Sequence, residues 1–90
     1  MKSKILTNFP TRMLNIICDT MVQDLGIDAE ISHHGGTPTI KSEVGNIIYF
    51  KNSDSFRIFL KVPGKLGKSH ITVKGTPGDL LQKVREIADE

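Results

Sequence analysis

The sequence predicts an α+β fold: an N-terminal helix, an antiparallel β-meander of four to five strands, and a C-terminal helix, with both helices on one face of the sheet. Three observations carry that prediction. Apolar residues recur at helical spacing as far as Leu25. From Ala29 to Lys74 the period shortens to two, broken by short Gly-, Asn- and Ser-rich stretches. Helical spacing then returns behind Thr76-Pro77-Gly78-Asp79. A change of period from 3.6 to two and back separates helices from strands, because side chains repeat on one face at those intervals.

The first helix is expected to begin near Pro10, with Asn8 or Thr11 as its cap, since proline is favourable where its missing N–H is not needed. Leu14, Ile17, Cys18, Met21, Val22 and Leu25 form its apolar stripe. Gly26 suits the left-handed residue that ends a helix, and Ile27 is placed to fold back on the last turn. Residues 1–8 read as an arm or a short edge strand.

The strands follow in order. Ala29, Ile31 and His33 alternate with Glu30, Ser32 and His34, and Gly35-Gly36 makes a hairpin turn. Thr39–Val44 is a second strand, with Pro38 tolerated at its start. Gly45-Asn46 is the next turn, Ile47–Lys51 the third strand, and Asn52–Ser55 the third turn. Phe56–Val62 and Ser69–Lys74 are strands four and five, joined by a loop over Pro63–Lys68. In the second helix, Thr76 is the N-cap and Pro77 the first helical residue. The Asp79 carboxylate favours the positive helix end. Leu80, Leu81, Val84, Ile87 and Ala88 form its apolar side.

Pleating sorts these strands into two faces. With two-residue turns at Gly35-Gly36, Gly45-Asn46 and Ser53-Asp54, one face collects Ala29, Ile31, Ile40, Val44, Ile47, Tyr49, Phe56, Ile58, Leu60, Val62, Ile71 and Val73. Two amphipathic helices can cover such a face. The other face collects Lys41, Ile48, Phe50, Arg57, Phe59, Lys61, His70, Thr72 and Lys74. A one-residue slip would put Tyr49 there in place of Phe50.

Ninety residues make one domain, 1–90. Hydrophobic residues are 38% and charged residues 24%, a globular composition with no disordered or low-complexity tract. Cys18 is the single cysteine, so a scaffold stapled by internal disulfides is excluded. No apolar run reaches the length of a membrane span, and Ile5-Leu6 is too short for a signal-peptide core. These points predict a cytoplasmic protein that does not engage membranes.

The formal net charge of +2 argues for no particular partner, but its distribution is uneven. Between Ser55 and Gly78 there is no acidic residue, while Arg57, Lys61, Lys65, Lys68 and Lys74 all fall there, among Phe56, Phe59 and His70. An uncovered sheet face with aromatics among cations needs a reason. One reason is a platform for unpaired bases, with rings stacking and cations meeting phosphate. A second is an apolar homodimer seam or protein-binding site with a basic rim. A third is that helix 1 or the N-terminal arm covers the face.

The first reading is preferred here. The candidate nucleic-acid-binding residues are Lys41, Phe50, Arg57, Phe59, Lys61, Lys65, Lys68, His70 and Lys74, and the expected partner is RNA or a single strand. The alternative is a protein-binding module, inhibitor- or antitoxin-like, acting through the same face, including as a homodimer.

Other chemistry is weaker. His33 and His34 are adjacent in a strand and point to opposite faces, so they cannot readily share an ion, and no metal-ligand spacing is present. Cys18 lies on the apolar stripe of helix 1, where burial makes a thiol inert. Gly64 and Gly67 lack P-loop spacing and precede a strand, so Lys65 and Lys68 read as loop cations. No pair of carboxylates is placed for acid–base work. The sequence therefore predicts no enzyme, no metal and no cofactor.

The helix–strands–helix order is similar to that of double-stranded RNA-binding domains, which set three antiparallel strands between two helices. Those domains begin their second helix with Lys-Lys or Ser-Lys-Lys, where this chain has Thr76-Pro77-Gly78-Asp79. An acid there would repel the phosphates such a helix meets. The loop His34-Gly35-Gly36-Thr37 likewise stands in place of their Gly-Pro-x-His. Together with the extra strand, these departures leave the chain outside that family.

Overall fold

The structure, a computed structural model, describes residues 9–35, 37–61 and 69–89. Helix α1 (Phe9–Gln23) leads into strands β1 (Ala29–His34), β2 (Thr37–Ser42), β3 (Gly45–Phe50), β4 (Ser55–Leu60) and β5 (His70–Lys74), and helix α2 (Pro77–Ala88) ends the chain. The five strands form one antiparallel sheet in the order β1-β2-β3-β4-β5. Helix α1 lies against β1 and β2, α2 lies against β5, and the two helices touch. Both share one hydrophobic core with one side of the sheet, so the predicted architecture holds. Val62, the Pro63–Lys68 loop and the 1–8 arm lie outside the described residues. Among the described residues, no helix is long and apolar enough to cross a membrane.

The register places five isoleucines in a line straight across the sheet. Ile31 pairs with Ile40, Ile40 with Ile47, Ile47 with Ile58, and Ile58 with Ile71. The three central ones have no solvent exposure, and the two on the edge strands are half-buried. Phe56, Leu60 and Val73 bury on the same side, against Leu14, Ile17, Cys18 and Met21 of α1 and Leu80, Val84 and Ile87 of α2. Each such side chain contributes about 1.5–3 kcal/mol by leaving water. This core fixes which side of every strand faces inward.

The end of α1 and the start of α2 form as their sequences predict, whereas α1 begins at Phe9, which puts the cap candidate Thr11 inside the helix, and Asn8 lies outside the described residues. Gly26 adopts φ +68, and the Ile27 N–H then donates to the Met21 carbonyl at 2.9 Å while the Ile27 side chain is buried. At α2 the Asp79 N–H donates to Thr76 Oγ1 at 3.3 Å, and the Thr76 N–H donates to Asp79 Oδ2 at 2.9 Å, completing a reciprocal capping box. Val22 and Ala88, assigned to the apolar stripes, are exposed. Val22 lies one position beyond Met21, a rotation of about 100° that carries it off the buried face.

Two turns differ from expectation. The β2–β3 turn is Glu43-Val44, since Ser42 pairs with Gly45, and not Gly45-Asn46. Ser42 closes it, its Oγ donating to the Gly45 carbonyl at 2.7 Å and accepting from the Val44 N–H at 3.2 Å. Val44 is itself buried, and its carbonyl accepts from the Lys61 N–H at 3.2 Å, so burial and pairing outweigh the local preference of Gly-Asn for a turn. The β3–β4 turn spans Lys51–Asp54, four residues and not two, because Phe50 pairs with Ser55. Asp54 takes the left-handed conformation at φ 52 and accepts the Tyr49 hydroxyl proton at 2.8 Å. Both corrections move the pairing by an even number of residues, so no side chain changes face. The β2–β3 ladder itself joins only Ile40–Ser42 to Gly45–Ile47 and stops short of Pro38, which has no N–H to give.

Candidate functional site

The outer face of the sheet is built by the residues that alternate with the core. One row across it is Glu30, Lys41, Asn46, Phe59 and His70, each directly opposite the next. A second row sets Ile48 opposite Arg57 and Arg57 opposite Thr72. A third sets Phe50 opposite Ser55 and Ser55 opposite Lys74. The structure therefore brings Lys41, Phe50, Arg57, Phe59, His70 and Lys74 onto one surface. Lys61 continues the same parity one step beyond β4 and is exposed. Lys65 and Lys68 lie outside the described residues. Tyr49 faces the core side, its ring centroid 5.0 Å from that of Phe56.

Helix α1 does not cover this face, because its buried side chains meet the opposite side of the sheet. That removes helix 1 as a cover, one of the three readings of this face; the N-terminal arm named with it lies outside the described residues. Phe50 is 37% and Phe59 38% exposed, high values for phenylalanines in a sheet interior. The Arg57 guanidinium carbon stands over the Phe50 ring, 4.9 Å from its centroid. Such a contact contributes about 0.5–1 kcal/mol where exposed and up to about 2 where dry. Arg57 Nε is buried and has no hydrogen-bond partner among the described residues. Phe59 meets the His70 ring at 5.9 Å between centroids, tilted by 44°.

Among the described residues the ion pair present is Lys83–Glu86 at 3.0 Å, within α2. No described carboxylate pairs with Lys41, Arg57, Lys61 or Lys74. Their charges are thus uncommitted within the described fold. An acidic fringe does exist at the β1 end. An open groove of about 680 Å³ there is lined by Asp28, Glu30 and Glu43 together with Lys41, Asn46 and Lys61. The positive, aromatic part of the face is accordingly β3–β5, and Lys41 belongs to its mixed-charge margin.

Sequence reasoning misses Asn46, which lies opposite Phe59 on the outer face. Its place after Gly45 reads locally as a turn, and only the true position of that turn puts it on the strand. The chain offers little else of chemical note. Cys18 is buried, and burial, with Asp19 and Glu30 adding negative field, pushes its thiol pKa up and away from reactivity. Among the described residues no three His, Cys, Asp or Glu side chains gather as a metal site.

No protein-family model, no curated protein and no solved structure matches this chain. The functional reading therefore rests on the geometry of the site.

Proposed function

We propose that this protein binds unpaired nucleic acid, RNA or single-stranded DNA, through the outer face of β3–β5, and that it acts by binding and not by catalysis. The observation that carries this reading is the run Phe50, Arg57, Phe59 along two adjacent strands, with exposed rings and an arginine that no described carboxylate neutralises. Aromatic faces accept any base by stacking, at roughly 1–3 kcal/mol per base, and the surrounding cations attract phosphate. Phe50 and Phe59 are the stacking residues in this reading. Arg57, Lys61 and Lys74 meet the phosphates, with Lys41 at the margin and, outside the described residues, Lys65 and Lys68 as further candidates. A cytoplasmic setting fits the lone buried thiol.

Anisotropy titrations with labelled single-stranded RNA, single-stranded DNA and duplex DNA over a salt series test it. Arg57→Ala and Lys74→Ala should each weaken binding and reduce the salt slope by about 0.7 for each phosphate no longer neutralised. Phe59→Ala should cost roughly 1–3 kcal/mol for single strands with the slope unchanged. Weaker binding with every charge removed but indifference to Phe59 would mean only generic electrostatic adhesion.

The second reading is a protein-binding or homodimer seam on the same face, favoured by two exposed phenylalanines with a basic rim. No nucleic-acid affinity at moderate salt, together with self-association that Phe59→Glu abolishes, would establish it in place of the first.

A further inference from the structure

Resting on that reading, we infer that the outer face takes two bases of one unpaired strand at separate stacking stations, with at least one nucleotide bridging them. The first station is Phe50 with the Arg57 guanidinium over its ring. The second is Phe59 with the His70 ring beside it. Their separation follows from the register. Phe50 is level with Ser55, and Phe59 lies four residues farther along β4 on the same side. At 3.2–3.4 Å per residue that is about 13 Å along the strand, and one strand over. Stacked bases advance about 3.4 Å per nucleotide, so neighbouring bases cannot occupy both stations while stacked on one another. A strand drawn out to about twice its stacked rise covers the gap in two steps, with one base between the two that are held.

The surface between and around the stations suits such a strand. Arg57 and Thr72 lie opposite each other in the intervening row; the Thr72 hydroxyl is placed for a base edge, and the Arg57 guanidinium, reaching over Phe50, meets the phosphate that leaves the first station. Lys74 lies in the same cross-strand row as Phe50, and Asn46 lies opposite Phe59. Two cations, Arg57 and Lys74, therefore flank the path at the Phe50 end, and the neutral amide of Asn46 lies at the Phe59 end. A duplex would present neither base to either ring, since its bases are stacked and paired inward, so it could meet the face only through phosphate.

The test uses labelled heptanucleotides that are abasic except at two positions, which carry uracil. The spacing of the uracils varies from adjacent to four apart, and an oligomer with one uracil is the reference. The expected result is tightest binding with one nucleotide between the uracils, about 5- to 150-fold tighter than the single-uracil reference. Phe50→Ala and Phe59→Ala should each bring that optimum down to the single-uracil level and erase the dependence on spacing. Phe59→Leu, which keeps apolar bulk but removes the aromatic face, should do the same and guards against a folding defect. If adjacent uracils bind best, or spacing has no effect in a protein that does bind single strands, the two-station inference falls while the nucleic-acid reading stands. If no single strand binds at moderate salt, both fall.

Discussion

Replacing Gly45 with alanine tests the placement of β3 against β4, on which the outer face depends. Gly45 begins β3 at φ +139 and pairs with Leu60, and the next residue, Asn46, pairs with Phe59. A methyl group at Gly45 would fall on the Phe59 carbonyl oxygen, 2.9 Å from the carbonyl carbon and 3.1 Å from the Leu60 Cα. All three atoms are backbone in the middle of the sheet, so no side chain can swing aside. Residues with a Cβ avoid such a φ at a cost of about 1–3 kcal/mol, and the clash adds to it. A total of about 3 kcal/mol or more is expected. A domain of this size loses about 4–8 °C of melting temperature per kcal/mol, which gives a fall of about 12–24 °C by calorimetry or circular dichroism. Gly35→Ala is the control: Gly35 also has positive φ, at +59, but a Cβ there meets nothing within 4 Å. It should cost only the left-handed backbone penalty, about 1–2 kcal/mol. If Gly45→Ala melts no lower than Gly35→Ala, the close approach of the two strands is wrong, and with it the pairing of Asn46 with Phe59.

Thr76→Ala should remove the hydroxyl that accepts the Asp79 N–H and lower stability by about 0.5–2 kcal/mol, read as a shift in the denaturant midpoint at constant m-value. Tyr49, the sole tyrosine, should titrate above its ordinary value of 10.0 because its hydroxyl donates to Asp54 and the carboxylate's charge opposes ionisation. A folded pKa raised in this way means the interaction is fully present below about pH 10 and disappears as pH rises through the folded value. Asp54→Gly, which removes the acceptor and suits the left-handed backbone, should return the phenolate absorbance midpoint toward 10.0; an unchanged midpoint would show that the hydrogen bond does not form in solution.

The element order and both faces of the sheet are legible in the sequence. Period and parity are local properties, and parity survives any turn error of an even number of residues. Phe50, Arg57, Phe59, His70 and Lys74 therefore group correctly although two turns fall elsewhere than local preference puts them. Helix α2 is legible for a similar reason, since a threonine cap, a proline and an aspartate interact within four residues. The tertiary structure alone decided where the β2–β3 turn falls. Gly45-Asn46 is the better turn by local preference, but burying Val44 and joining its carbonyl to Lys61 favours Glu43-Val44, and Lys61 is not near in sequence. That choice moves Asn46 onto the outer face. Which helix covers which side is likewise a matter of packing: the sequence leaves open whether α1 shields the aromatics, and the shared core of α1, α2 and the isoleucine row excludes it. The cation–aromatic contact of Arg57 with Phe50 depends on a register set by the four-residue turn between them, so only the assembled sheet could reveal it.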